Sequence, residues 1–414
     1  MRHADMASLE EIASAIQTVV NTGGMAGAAT LVWRGGKLVN ASAFGWRDVE
    51  RRLPMERSSL FRIASMTKPI TSMAALMLLE EQKLALNDPI TRWAPEFSSM
   101  RVLRSATGPL ERTEPAARPI TIEDLLTHRS GLTYEFLNAG PLAEAYRQAL
   151  GGMIDSVIDP NEWIAALGRL PLASQPGSRF QYGRSTDLLG LLIERIADAP
   201  LADFLKRRIF DPLDMGDTGF TVPDIKRYRR AQLYGVDASG RLIAKPMAER
   251  AETLRYVSGG QGLWSTVDDY LAFACMFLGQ GSVRGARLLR PETLAMMTTN
   301  RLTEEQRTAH LMGAPLFAGH GFGLGVSVVA DPDKASLMLG RGRQGAVGWP
   351  GAFGGWWQAD PLDDAVKIFL THNNVSQTEL AKGLGLGAYG ALMLFQSLAN
   401  VHERTPDETG NRAR

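Results

Sequence analysis

The sequence predicts a mixed α/β (α+β) fold: an antiparallel sheet built from both ends of the chain and flanked by helices, with a mainly helical lobe inserted between. Three observations lead there. Apolar and polar residues alternate around Arg34-Gly35-Gly36-Lys37, which reads as two strands joined by a glycine turn. Strand-like runs return only after about residue 218, in "GFGLGVSVV", "ASLMLG" and "AVKIFLTHN". Between them lie apolar stretches of helical period, punctuated by Pro-Gly and Asp-Pro turns. A sheet drawn from two distant segments needs the intervening chain to leave and return. Residues 1–86 and 218–400 are therefore expected to form one discontinuous α/β domain and 87–217 a helical one, with 401–414 a polar tail. A site between two such lobes is the expected place for a ligand.

Taken in order, "MRHADMASLEEIASAIQTVV" reads as an amphipathic helix and the segment after it as the hairpin. "FRIASMTKPITSMAALMLLEEQ", Phe61 to Gln82, reads as one helix, apolar nearly all round and so destined for a core. "TIEDLLTHRSGL", "NEWIAALGRL" and "STDLLGLLIERIADAPLADFLKRRIFDPL" supply the helical middle. "TELAKGLGLGAYGALMLFQSLAN" reads as one last helix, and "ERTPDETGNRAR" is too polar to bury anything. The stretch from Ser105 to Pro119 carries no readable signal.

Composition excludes several function classes. A formal charge of +1 offers no basic field for nucleic acid, and Arg227, Arg229 and Arg230, the densest basic run, read as a solvated face. No stretch reaches the roughly 18 uninterrupted apolar residues of a membrane span, and the first residues lack an apolar signal-peptide core, so a cytoplasmic protein is expected. Cys275, the one cysteine, allows no intrachain disulfide and reads as a buried, inert thiol. The six histidines show no metal-ligand spacing, and neither glycine-rich nucleotide loops nor a G-x-S-x-G elbow occurs, so no metal or organic cofactor is implied.

Three features carry chemistry. In "SMTK", Ser65 and Lys68 stand three apart and share a helix face, where a lysine shielded from solvent near the positive end of a helix could accept the serine proton. The competing reading is Ser65 as an N-cap with Lys68 reaching to solvent. Tyr182, after the turn in "PGSRFQYGRSTDLLGLLIERI", is placed to exchange a proton near such a lysine, or else packs at the lobe edge. "GAVGWPGAFGGWWQAD" has glycines that let backbone approach a ligand and could present an N–H to an oxyanion. Pro350 makes it an edge strand or a strand entering a bend, and the other reading is a tight turn with Trp349, Trp356 and Trp357 in the core.

These features, in this order, resemble the serine β-lactamase / penicillin-binding-protein superfamily, and most of all its family VIII carboxylesterases (class C β-lactamase-like). The resemblance runs from about Leu9 to Asn400 and includes "ITIEDLLTHRSGL" and "SGGQGLWSTVDDYLAFA". It implies a β-lactamase-like fold, Ser65 as the acylated nucleophile, Lys68 as its base partner and Tyr182 as the tyrosine of the second motif. The third motif falls on Trp349-Pro350-Gly351, with Trp349 and Gly351 as substrate contacts and the backbone N–H groups of Ser65 and Ala352 as the oxyanion hole. Tyr134 is expected to line the acyl pocket, Gly260 and Gln261 to border the site, and His128 to be a satisfied core histidine.

Two departures narrow the expected substrate. Arg184 stands where lactamases and transpeptidases have asparagine, and Trp349 where they have a lysine or histidine. A substrate carboxylate would miss that cation, whereas an indole suits a neutral group. The expected function is a serine carboxylesterase hydrolysing short-chain acyl esters through an acyl-Ser65 intermediate. A small-molecule ester is then the partner, with no nucleic acid or membrane. The alternatives are a β-lactamase or D-amino-acid peptidase, an acyltransferase, and a non-catalytic binding protein on the same fold.

Overall fold

The computed structural model describes residues 3–137, 140–152, 154–247, 255–311 and 314–399; the polar tail lies outside the described residues. Helix α1 (His3–Asn21) leads into strands β1 (Gly27–Arg34), β2 (Lys37–Asp48) and the two-residue β3 (Leu53–Pro54). β1 pairs on its other side with Ala365–Thr371, the last strand, so both ends of the chain meet at the middle of the sheet. Trp356–Asp360, Val347–Gly348, Ser327–Val329 and His320–Phe322 continue it, and all eight strands run antiparallel to their neighbours.

Sequence pattern explains the layering. Along Ala365–Thr371, Val366, Ile368 and Leu370 enter one apolar cluster with Tyr270 and Phe273 of α8 (Val267–Ala274). Phe369 enters another with Ile12 and Ile16 of α1 and Phe395 of the final helix. Helices therefore cover both faces, and the strand is buried along its whole length. The middle of the chain supplies α3 (Ile122–Leu126), α4 (Pro141–Leu150), α5 (Pro160–Gly168), α6 (Ser185–Ala197) and α7 (Leu201–Leu205). α2 (Thr67–Glu80) packs against α6 and α7, and its side chains from Thr67 to Leu78 are all buried. The core is continuous from the sheet into these helices. α9 (Pro291–Met297) follows α8. No described helix is long and apolar enough to cross a membrane.

Four expectations are corrected. Phe61 to Gln82 is not one helix: β4 (Phe61–Arg62) pairs with Trp264–Ser265, a 3-10 turn spans Ala64–Met66, and α2 begins at Thr67. "GFGLGVSVV" is two strands reversing at Gly325, whose φ of 92° breaks the run. "ASLMLG" forms turns and no strand. The last helix is two, α10 (Gln377–Ala381) and α11 (Leu386–Ala399), parted by Gly383 and Gly385 at φ 76° and 69°. Cys275 is only partly buried, yet burial still pushes its thiol up to about 12.

Lys367 lies within the sheet, fully buried, with Asp363 4.0 Å away. Burial pulls its amine from 10.5 down to about 8, against the pull of Asp363 and Asp360. The unfolded chain then binds more protons than the folded one between those values, so stability rises with pH across that window. We expect urea unfolding to show a gain of about 2 kcal/mol from pH 7.5 to 9.5 that Lys367→Met abolishes. Asp363 keeps Arg34 at 3.2 Å in that variant. An equal pH response in both proteins contradicts this assignment.

Candidate active site

The turn before α2 is set by its neighbours. Ile63 N–H donates to Leu263 O at 3.0 Å, Leu263 N–H to Thr67 Oγ1 at 3.2 Å, and the Tyr270 hydroxyl to Met66 O at 2.8 Å. Ala64 is held at φ 45°, a left-handed conformation unusual for a residue with a Cβ, immediately before Ser65. The chain leaves β4, reverses sharply and presents Ser65 ahead of the first turn of α2.

Ser65 Oγ sits between two groups. Lys68 Nζ is 3.1 Å away and the Tyr182 hydroxyl 2.8 Å. The lysine does not reach solvent: it is 1% exposed, and its amine also donates to Gly260 O at 2.9 Å and meets the Tyr134 hydroxyl at 3.1 Å. This decides against the snorkelling alternative. Its hydrogen-bond partners among the described residues are neutral oxygens, with the faces of Tyr182 and Tyr134 at 4.7 and 5.3 Å.

Tyr182 precedes α6 and comes to Ser65 from the helical segment. Trp349 Nε1–H donates to its oxygen at 3.2 Å. Trp349 is buried, as are Trp356 and Trp357, so the core reading holds for all three, and Trp349 also touches Tyr182. It follows Val347–Gly348, an interior strand, so Pro350 marks a strand entering a bend and not an edge. Gly351 is required by packing: a Cβ there would lie 2.5 Å from Ile63 O, beside the turn that carries Ser65. Ala352 is exposed in the turn that follows.

His128 departs from the satisfied core histidine expected. Its ring lies 4.8 Å from that of Tyr182, and Nδ1 has no partner among the described residues. Burial, aided by the charge of Lys68, holds it well below the usual imidazole value and hence neutral. Gly260 contacts Lys68 through its carbonyl, whereas Gln261 is buried with Nε2 unpartnered among the described residues.

Arg184 does not face the serine. It is buried, donates to both Glu135 oxygens at 3.0 and 3.1 Å, and stacks 5.2 Å from the centre of the Tyr134 ring. Asp187, one residue short of a turn further along α6, was not singled out by sequence. Its signal was present, an acid in the otherwise apolar run "STDLLGLLI". Phe136 was missed too: it stacks on Tyr134 at 5.1 Å and is 44% exposed, an apolar surface next to the lysine's partner. A serine flanked by an amine and a phenol can lose its proton to the neutral amine, or to the tyrosine once that is a phenolate, and attack a carbonyl carbon.

Comparisons with known proteins place the chain in a family. The sequence model of the Beta-lactamase family matches residues 12–389. Protein Rv1367c of Mycobacterium tuberculosis is 47% identical over 95% of both chains. Esterase EstB of Burkholderia gladioli is 32% identical over 84% of this chain and 86% of its own. Among solved structures, EstCE1, described as a hydrolase with promiscuous acyltransferase activity, superposes with a TM-score of 0.78 at 26% identity, covering 95% of this chain and all of its own. The chain belongs to the β-lactamase family.

Proposed function

We propose that the protein is a serine carboxylesterase acting on short-chain esters of neutral alcohols. The observation that carries this reading is Ser65 Oγ at 3.1 Å from Lys68 Nζ and 2.8 Å from Tyr182 Oη, with the third-motif cation replaced by an indole. In acylation Ser65 Oγ attacks the ester carbonyl carbon and its proton passes to Lys68. The carbonyl oxygen, now anionic, is met by the backbone N–H groups of Ser65 and Ala352. Collapse expels the alkoxide, which takes the Tyr182 proton and leaves as alcohol. Lys68 returns its extra proton to the phenolate as the site resets. In deacylation Tyr182 passes its proton to Lys68 as it takes one from a water, whose oxygen attacks the acyl carbon. Ser65 Oγ leaves and takes that proton from Tyr182, and Lys68 returns its own to the phenolate as the acid departs. Trp349 contributes an N–H to the phenol oxygen at the moments it is most negative.

The substrate class follows from what faces the serine. Trp349 offers apolar area in place of a cation, and Arg184 turns inward to Glu135 and leaves the serine side. A β-lactam or peptide would lose partners for both its carboxylate and its acyl amide. The likeness to EstB supports the ester reading. The likeness to EstCE1, a hydrolase with promiscuous acyltransferase activity, favours one second reading, transfer of the acyl group to an alcohol in place of water.

Incubation with a fluorophosphonate should add one adduct, on Ser65, visible by peptide mass spectrometry, and Ser65→Ala should lose about 10³-fold or more in p-nitrophenyl butyrate turnover. An adduct elsewhere, or activity retained in Ser65→Ala, rejects the mechanism and leaves the non-catalytic alternative. Turnover of a chromogenic cephalosporin above that of the butyrate ester rejects the substrate class. Competing alcohols in the assay separate hydrolysis from transfer by product analysis. Trp349→Phe keeps the ring and removes the N–H donor, so kcat on the butyrate ester should fall about 10-fold with KM little changed. A KM effect alone would assign Trp349 to binding.

A further inference from the structure

Asp187 is fully buried and makes contacts that reach Lys68 by two routes. Its Oδ1 accepts from Gly260 N–H at 3.2 Å, from the Ser258 hydroxyl, and from the Tyr256 hydroxyl at 3.5 Å. Its Oδ2 faces the Tyr134 hydroxyl at 3.4 Å and Arg184 Nη1 at 3.9 Å. Gly260 O and the Tyr134 oxygen are in turn the two partners of Lys68 other than Ser65.

The direction of each hydrogen bond follows from what each group can do. A carboxylate only accepts, so the Tyr134 proton points at Asp187. Burial and the Asp187 charge hold that phenol well above its ordinary value, so it keeps the proton. Its oxygen is thereby left to accept from Lys68. Gly260 O can only accept. In the structure Lys68 donates to Ser65 Oγ, the Tyr134 oxygen and Gly260 O. The form that takes the serine proton is the neutral amine, with two N–H groups and one lone pair, and in that form the Tyr134 and Gly260 acceptors take both N–H groups. The lone pair is left for Ser65. At the other end, the indole of Trp349 only donates, so it occupies a lone pair of Tyr182 and directs the phenol proton to Ser65 Oγ. With one side of Oγ receiving a proton from Tyr182, the serine's own proton points at the Lys68 lone pair once that amine is in its neutral form.

We propose that Asp187 is a positioning residue that fixes the hydrogen-bond direction through Tyr134 and Gly260, so that the Lys68 lone pair is presented to the Ser65 proton. The inference rests on Ser65 being the nucleophile. The step it serves breaks the Ser65 O–H bond and forms an N–H bond on Lys68, while the Oγ electron pair bonds to the electrophile. An asparagine at 187 can donate to the Tyr134 oxygen, which lets the Tyr134 proton turn to the Lys68 lone pair and block it.

The test is the rate of Ser65 labelling by a fluorophosphonate, followed by intact mass, in which Oγ bonds to phosphorus and fluoride leaves. This readout needs no knowledge of the natural ester. Asp187→Asn and Tyr134→Phe should each slow labelling by about 10-fold or more, with kcat for p-nitrophenyl butyrate falling in parallel and KM within about twofold. The double variant should label no more than about twofold slower than the slower single one, because both act through one hydrogen bond. Multiplied effects, or a folded Asp187→Asn that labels at the wild-type rate, overturn the proposal. If Asp187→Asn does not fold, Tyr134→Phe decides alone: slowed labelling supports the wiring and an unchanged rate overturns it. A wild-type protein that labels at Ser65 but turns over no ester rejects the carboxylesterase reading while leaving this comparison intact.

Discussion

Three polar atoms from two distant parts of the chain meet within 3.1 Å, and most of the surrounding structure keeps them there. Ser65 and Lys68 come on one short segment, and Tyr182 arrives from more than a hundred residues later. Neither segment can be placed by local propensity alone. The first is clamped by β4 pairing with Trp264–Ser265 and by the Tyr270 hydroxyl on Met66 O. The second is clamped by close backbone contact: a Cβ at Gly183 would lie 2.3 Å from Leu132 O and 2.4 Å from Thr133 Cα. Only glycine lets the Tyr182 segment lie that tightly on the Tyr134 segment. The same contact that places one tyrosine therefore places the other. Thr71 donating to Gly259 O at 2.7 Å ties the segment that carries Gly260 to α2.

Charge is arranged in two layers around that meeting point. Next to Lys68 stand a hydroxyl of Ser65, a hydroxyl of Tyr134 and a carbonyl, all neutral oxygens. Full charges lie one layer out, where Glu135, Arg184 and Asp187 pair with one another. Burial works against the Arg184 charge, yet Asp187, Tyr256 and Glu135 outweigh it and raise its pKa. Breaking such a buried set by removing one member is costly, which keeps the second layer rigid behind the first. Salt bridges with exposed arms, such as Arg147–Glu144, have no comparable consequence.

Much of this was legible in the residues. The hairpin around Gly35-Gly36 and the buried last strand have clear periods, and the motifs bracket residues that the fold brings together: Ser65, Lys68, Tyr182 and Trp349. What was not legible depended on tertiary pairing. Phe61–Thr67 read as helix because its apolar run matches a buried helix, and only the partner strand at Trp264 reveals the extended start. "ASLMLG" has strand composition but no neighbour to pair with among the described strands. The role of Arg184 in its motif was not legible, because its partners Glu135 and Asp187 lie 49 residues back and three ahead. Spacing cannot show which way such a side chain turns.

Trp349 joins the proton chemistry to the substrate chemistry in one side chain. A lysine at this position would donate to the tyrosine and also hold an anionic substrate. The indole keeps the first capacity, through Nε1–H to Tyr182 at 3.2 Å, and lacks the second. Its remaining surface packs with Phe322 at 5.1 Å and belongs to a cluster with Phe180, Leu302 and Leu339, so it cannot be exchanged for a small residue without opening that cluster. A return to a cation here would bury a charge among aromatic rings with no carboxylate to meet it, which desolvation opposes. The proposed preference for a neutral substrate therefore rests on the packing of the Trp349 cluster as well as on the missing charge.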